Sequence, residues 1–195
     1  QAVELDPVVV DVAYEWFELP RDARLRVDVG DGRRFLAGDE RRWDVIVIDA
    51  FFADSIPAHL VTQEFLALAR SRLARGGVVV TNAIGALEGP SSRLFRSIYK
   101  TYRTAFPSVL VHPAILPGDE GEEQFRNLIL VATEKAVPQP RQLADRWDAL
   151  RREAPTAPDL RGPILDRRDA PIPTDDVPVL TDDYAPTDAL LLLFQ

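Results

Sequence analysis

The chain has 195 residues, is 46% hydrophobic and carries a net charge of -8 at neutral pH. This length allows one domain with a full core, and the acidic balance argues against nucleic-acid binding, which needs a basic surface. The absence of Cys excludes disulfides and Cys nucleophiles, and two histidines are too few for a His-rich metal site. No apolar run is long enough to span a bilayer and no signal peptide opens the sequence, so we expect a cytoplasmic location.

Apolar periodicity and turn residues predict strands and helices that alternate along the chain. In order, they are a strand at 2–5, a helix at 7–17, a strand at 24–29, a helix at 33–37, a strand at 44–49, a helix at 62–73, a strand at 78–83, a helix at 91–106, strands at 109–115 and 125–133, and a helix at 140–152. Asp6 before Pro7 is typical of a helix start. The strand at 44–49 is a continuous apolar run, so we expect it to be buried on both faces at the sheet centre.

The composition changes after residue 153. Pro recurs from Pro155 to Pro186, which is typical of an extended tail. We therefore divide the chain into a Rossmann-like domain at 1–153 and a Pro-rich extension at 154–195 that packs on it. A short apolar helix at 188–194 could close the tail.

Three acidic residues lie at the carboxyl ends of predicted strands or just after them, namely Glu4, Asp31 and Asp49. The carboxyl ends of parallel strands line the ligand crevice of an open sheet, so carboxylates there face a substrate. This placement predicts a nucleoside-binding enzyme. Each residue has a plainer explanation as well: Glu4 as a solvated strand-end acid, Asp31 as a helix N-cap, and Asp49 as a structural acid that binds loop amides.

Four segments together resemble the spermidine synthases, which are polyamine aminopropyltransferases. They are Glu4-Leu5-Asp6-Pro7, Gly30-Asp31-Gly32-Arg33, Trp43-Asp44-Val45-Ile46-Val47-Ile48-Asp49 and Leu73-Ala74-Arg75-Gly76-Gly77-Val78. The tail segment Val179-Leu180-Thr181-Asp182-Asp183-Tyr184 resembles that of a bacterial branch whose members are sometimes fused to membrane segments. The resemblance implies the class I methyltransferase fold, an α/β Rossmann-like architecture with a mostly parallel sheet and an antiparallel last strand.

The resemblance also implies roles for individual residues. Glu4 would accept hydrogen bonds from the ribose hydroxyls, Asp31 would accept one from the adenine amino group, and Leu5 and Gly32 would complete the nucleoside site. Asp49 would bind the attacking amine and take its proton, with Asp54 as a second carboxylate. The implied co-substrate is decarboxylated S-adenosylmethionine, or S-adenosylmethionine itself, with no metal. The implied partners are a polyamine or another amine and a second copy of the chain, and the parent protein could be membrane-tethered.

The chain departs from the family pattern in three places. Two aromatics, Phe51 and Phe52, follow Asp49, and the next carboxylate, Asp54, lies five positions on instead of three. The Gly-rich loop that holds the methionine part of the co-substrate has no counterpart, and neither has the aromatic N-terminal hairpin domain. We therefore expect that the first strand of the fold, which lies between the strands ending in Glu4 and Asp49, is missing, so that these 195 residues are part of a longer protein.

These observations leave three classes of function open. The first is an aminopropyltransferase-like enzyme, the second is an S-adenosylmethionine-dependent methyltransferase on the same fold, and the third is a noncatalytic relative. Two further features stay open. His59 could be a general base or could form a loop-to-helix hydrogen bond, and Thr181-Asp182-Asp183-Tyr184 could cover the crevice or form a surface turn anchored by Tyr184.

Overall fold

The computed structural model describes residues 1–51, 56–115 and 121–191, and the chain divides into two compact units, Gln1–Arg42 and Trp43–Gln195. The first unit contains four elements: β1 (Ala2–Glu4), α1 (Pro7–Glu15), β2 (Val27–Val29) and α2 (Gly32–Gly38). β1 and β2 pair in parallel, with Glu4 opposite Val29. The predicted order of these four elements is confirmed, although each strand is shorter than predicted.

The second unit contains a four-stranded sheet with helices along it. Its elements are β3 (Trp43–Ile48), a 3-10 helix (Ala58–Leu60), α3 (Gln63–Ser71), β4 (Leu73–Gly85), a second 3-10 helix (Pro90–Ser92), α4 (Arg93–Ala105), β5 (Ser108–Pro113), β6 (Arg126–Thr133), α5 (Pro140–Glu153), α6 (Arg161–Leu165) and α7 (Thr187–Leu190). The strand order is β3-β4-β6-β5, with β3 parallel to β4 and β6 antiparallel to both of its neighbours. The α/β prediction with an antiparallel last strand is confirmed.

Side-chain caps explain where three of the helices begin. Asp6 Oδ1 accepts a hydrogen bond from Val8 N at 2.8 Å, Asp31 Oδ1 accepts one from Arg34 N at 2.8 Å, and Thr62 Oγ1 accepts one from Phe65 N at 3.3 Å. Each cap satisfies one of the amides that the first helical turn leaves unpaired. The cap at Asp6 was predicted from sequence, and a cap at Asp31 was one of the two roles left open for that residue. Both depend on residues only two or three positions apart.

The boundary between α3 and β4 differs from the prediction. We expected the helix to run to residue 73 and the strand to begin at 78, after the pair Gly76-Gly77, but α3 ends at Ser71 and β4 already begins at Leu73. The pair lies inside β4, where the register with β3 shifts between Trp43 and Val45. A side chain at Gly77 would bring its Cβ to 2.8 Å from the Trp43 carbonyl oxygen, so the close approach of β3 requires glycine there.

The core of the second unit lies between one face of the sheet and the pair α3 and α4. Its fully buried side chains are Leu66, Val79, Leu94, Phe95, Ile98, Tyr102, Phe106, Val111, Leu128 and Leu130. β4 and β6 alternate buried and partly exposed residues, because successive side chains of a strand point to opposite faces. The sheet therefore has one face packed on the helices.

β3 is an edge strand in the second unit, so the prediction that it lies at the sheet centre and is buried on both faces is wrong. Within the described ranges it pairs with β4 alone, and Val45 and Val47 are 52% and 65% exposed. β1 likewise pairs with β2 alone.

Part of the Pro-rich extension is held on α3 and α4, and we call residues 173–182 the docked segment. Lys100 Nζ donates hydrogen bonds to the carbonyl oxygens of Thr174 at 2.9 Å and Val177 at 2.8 Å. Leu180 is fully buried, and its amide donates to Thr101 Oγ1 at 2.9 Å. These contacts satisfy the backbone of a segment that has no regular secondary structure.

Candidate active site

Asp49 follows β3 directly, at the carboxyl end of the strand. Ile48 is opposite Thr81 in the parallel pair, so Asp49 stands beside Asn82. The Asn82 Nδ2 group donates a hydrogen bond to Asp49 Oδ1 at 3.0 Å. The Asp49 side chain is exposed, and no hydrogen bond to its second oxygen is found within the described ranges. The site therefore offers one oriented carboxylate that solvent and a ligand can reach.

A second asparagine extends this contact to the next strand. Asn127 Nδ2 donates to Asn82 Oδ1 at 3.0 Å. Asn82 pairs with Ile129 across β4 and β6, and Asn127 precedes Ile129 by two residues, so it lies on the same face of the sheet. Asp49, Asn82 and Asn127 form a row across three strands, which we call the amide row.

Sequence reasoning missed both asparagines. The available signal was the amide of Asn82, which falls on the alternate positions of the strand that also hold Val78 and Val80. Its neighbours depend on the register of β3, β4 and β6, which the local pattern does not give. The row can hold one carboxylate oxygen in place and leave the other for a substrate.

The residues predicted to bind the nucleoside lie in the first unit. Glu4 ends β1, and its Oε1 accepts a hydrogen bond from Asp6 N at 3.0 Å, while its carbonyl oxygen accepts one from Gly30 N at 2.8 Å. Asp31 uses Oδ1 as the cap of α2. Both carboxylates are half-buried at the carboxyl ends of their strands, as predicted.

A cavity of about 460 Å³ opens in the first unit beside Leu5 and Asp31. The full lining is Val3, Leu5, Asp28, Val29, Gly30, Asp31, Arg34 and Phe35. Apolar walls with a few polar groups are typical of small-molecule sites. Glu4 and Gly32 are not part of the lining, and a Cβ at Gly32 would meet no atom within 4 Å, so packing does not require glycine there.

The other candidate residues have the following placements. Asp54 and Phe52 lie outside the described residues, whereas Phe51 is described and 39% exposed. His59 is exposed in the 3-10 helix before α3.

Within the described ranges, no cluster of three or more acidic or histidine side chains is suited to a metal ion. No helix in the same ranges is long and apolar enough to cross a membrane.

The Thr181–Tyr184 segment forms a tight turn at the start of α3. Thr62 Oγ1 donates to Asp182 Oδ1 at 2.7 Å, and the Asp182 amide donates to Glu64 Oε2 at 2.9 Å. Tyr184 is 59% exposed, so the anchor of this turn is Asp182 and its partners instead of the tyrosine ring.

Comparison with known proteins gives a consistent group of relatives. Residues 1–123 match the family described as "Spermine/spermidine synthase domain". The chain is 36% identical over 107 residues to the polyamine aminopropyltransferase of Vibrio vulnificus. The alignment covers 53% of this chain and 34% of that protein. The chain thus spans about a third of the length of that curated relative.

Two solved structures resemble the chain at similar levels. A probable spermidine synthase from Corynebacterium glutamicum aligns with a TM-score of 0.62 and 27% identity, over 77% of this chain and 52% of that one. Human methyltransferase-like protein 13, solved in complex with SAH, aligns with a TM-score of 0.61 and 26% identity, over 80% of this chain and 71% of that one. The fold is therefore shared by proteins of two named classes.

Proposed function

Because the chain belongs to the spermine/spermidine synthase family, we propose that it transfers an aminopropyl group from decarboxylated S-adenosylmethionine to a diamine and releases 5'-methylthioadenosine. The observation that carries this proposal is the exposed Asp49 carboxylate at the carboxyl end of β3, with one oxygen held by Asn82. Amine alkylation needs a carboxylate that orients an ammonium group and accepts its proton. Asp49 has the placement and the chemistry for both tasks.

In the proposed reaction, the diamine approaches as an ammonium ion and hydrogen-bonds to the second oxygen of Asp49. Asp49 takes the proton, and the nitrogen lone pair forms a bond to the carbon next to the sulfonium. The bond between that carbon and sulfur breaks, and its electron pair passes to sulfur. The leaving group is a neutral thioether, so this step requires no metal. Asn82 keeps the carboxylate oriented while the proton moves.

The nucleoside part of the co-substrate would be held by the first unit. Glu4 would accept hydrogen bonds from the two ribose hydroxyls, and Asp31 would accept one from the adenine amino group. Leu5 contributes to the apolar wall of the cavity that Asp31 lines, and Gly32 leaves the start of α2 open. We expect Asp54 to add a second carboxylate for the amine.

A methyltransferase that uses S-adenosylmethionine is the second candidate. Similarity to human methyltransferase-like protein 13, which was solved in complex with SAH, supports it, since that alignment covers 71% of that chain. Such an enzyme would release S-adenosylhomocysteine instead of methylthioadenosine. The product therefore distinguishes the two candidates.

The test is product analysis by mass spectrometry. We would incubate the full chain with decarboxylated S-adenosylmethionine and putrescine, and separately with S-adenosylmethionine and a metabolite extract. We expect methylthioadenosine in the first reaction, and a decrease of about 100-fold or more in the Asp49→Asn variant, because loss of a general base typically costs that much. Asp44→Asn is the matched control, since Asp44 is exposed on the same strand. The activity of this variant should equal that of the wild type.

Each other result has a definite meaning. S-adenosylhomocysteine alone would identify a methyltransferase. Neither product, together with no binding of either nucleoside by calorimetry, would identify a noncatalytic relative. Full activity in Asp49→Asn would exclude Asp49 as the base.

The remaining parts of the proposal concern the setting of the enzyme. We propose a cytoplasmic protein that acts on small amines and forms a homodimer, with a parent chain that could be tethered to a membrane. Sedimentation of the purified chain tests the dimer directly. A monomer at micromolar concentration would exclude it.

A further inference from the structure

The two asparagines of the amide row are the only two in the whole sequence of 195 residues. They contact each other, and one of them contacts Asp49. We infer that Asn127 is a positioning residue that sets the orientation of the Asn82 amide and, through it, of the Asp49 carboxylate. This inference rests on the proposed role of Asp49 as the base.

An amide side chain is asymmetric, with an oxygen that only accepts hydrogen bonds and a nitrogen that only donates them. Asn127 Nδ2 donates to Asn82 Oδ1, so the Asn82 oxygen faces β6 and its nitrogen faces Asp49. If the Asn82 amide turned over, its oxygen would face the carboxylate oxygen and its nitrogen would face the Asn127 nitrogen. With the Asn127 amide kept in its present orientation, both contacts would then be repulsive.

The strand pairing holds the backbones of the two asparagines in a fixed register. β4 and β6 pair without interruption from Val78 opposite Thr133 to Gly85 opposite Arg126, and Asn127 lies opposite Ile84. A continuous ladder fixes the distance between the backbones of the two residues, so the bond needs no loop movement to form. Hydrogen bonds in a chain also strengthen one another, since each polarises the next.

Asn127 contacts neither Asp49 nor, in the proposed reaction, the reacting atoms. Replacing Asn127 should therefore change the orientation of the Asp49 carboxylate. Misplacing a catalytic group by a small distance lowers the turnover rate while leaving distant binding contacts intact. We expect kcat to fall about tenfold or more in Asn127→Leu, with unchanged affinity for methylthioadenosine. Ile129→Val is the control, since it lies on the same strand and face without a polar group.

Nuclear magnetic resonance gives a measurement that does not depend on activity. Labelling with 15N-asparagine yields two side-chain amide signals in this chain, one for each residue of the row. Asp49→Ala should shift the Asn82 signal when Asn127 is present. The same substitution should cause a smaller shift in the Asn127→Leu background, because the Asn82 amide no longer has a fixed orientation.

The outcomes separate this inference from the proposed function. If the wild-type chain releases no methylthioadenosine, the proposed function fails, and the amide shifts still decide whether Asn127 orients Asn82. Equal shifts in both backgrounds would overturn the inference whatever the activity. A kcat of Asn127→Leu equal to that of the wild type would also overturn it, because the bond would then exist without positioning the base.

Discussion

Asp31 has two possible tasks at the start of α2, and a pair of substitutions separates them. Asp31→Ala removes the cap and should lower the free energy of unfolding by about 1 kcal/mol. Asp31→Ser keeps a capping oxygen, so its stability should stay within about 0.5 kcal/mol of wild type. If the carboxylate also binds adenine, both variants should bind methylthioadenosine more weakly in calorimetry. Wild-type affinity in Asp31→Ser would leave Asp31 with the capping role alone.

The buried pair Tyr102 and Thr81 allows a prediction about the core. Their hydroxyl groups are hydrogen-bonded, both residues are fully buried, and burial raises the pKa of the Tyr102 hydroxyl. Tyr102→Phe leaves the Thr81 hydroxyl without this partner and should cost about 1–3 kcal/mol in urea unfolding. Adding Thr81→Val should recover part of the loss, since no polar group is then left unpaired. Additive losses in the double variant would contradict this account.

At the scale of elements, the predictions that succeeded depended on neighbours in sequence. The cap at Asp6 was predicted, and the cap at Asp31 was foreseen as one of two roles, because each needs a side chain and an amide two or three residues away. The position of β3 was predicted wrongly. An apolar run such as Val45 to Ile48 indicates a strand, but its place in the sheet depends on which strands pair with it.

In the candidate site as well, a residue marked by its neighbours in sequence could be predicted, and residues brought together by strand pairing could not. Asp49 could be found from the sequence because it ends an apolar run, where a carboxylate is conspicuous. Asn82 and Asn127 are 45 residues apart, and only the antiparallel register of β4 and β6 brings them together. No local pattern specifies that register. The family resemblance pointed to Glu4 and Asp31, but it did not reveal that both carboxylates also bind backbone amides.

The docked segment gives a prediction about acid stability. Arg96 forms two hydrogen bonds with Asp176, at 2.5 and 2.8 Å, and they hold the pKa of Asp176 below its ordinary value of 3.8. A carboxyl group whose pKa is lowered by folding stabilises the folded state above its unfolded pKa and loses that contribution as the pH falls through the folded pKa. The difference in unfolding free energy between wild type and Asp176→Asn should therefore be constant from pH 7 to 5 and shrink below about pH 4.

Urea unfolding at several pH values measures that difference. Asp188→Asn is a suitable control, since Asp188 is exposed on α7. If the difference for Asp176→Asn stays constant down to pH 3, the ion pair does not contribute to the stability of the folded state. The effect should be small, because Asp176 is largely exposed to solvent and exposed pairs are screened.

At the scale of the whole molecule, the two units differ in how much apolar surface they bury. Leu36 is the only buried hydrophobic residue among those described in Gln1–Arg42, whereas the second unit holds the rest of the core. Two paired strands of three residues, neither with a buried side chain, contribute little stability. We expect hydrogen exchange to be fast in β1 and β2 and slow in β4 and β6, as measured by mass spectrometry of peptides. Equal protection in the two units would contradict this expectation.

One of the two lysines in the chain holds the docked segment in place, and in the part of the chain that the structure describes the other does not contact it. The chain contains two lysines: Lys100 lies within α4 and binds two carbonyl oxygens of the docked segment, whereas Lys135 is exposed beyond β6. A lysine-specific protease should cut the native protein after Lys135 and spare Lys100. The two pieces should elute together from a sizing column, because Leu180 and Asp176 remain bound to α4 without a covalent link. The chain could then be reassembled from two separately labelled fragments.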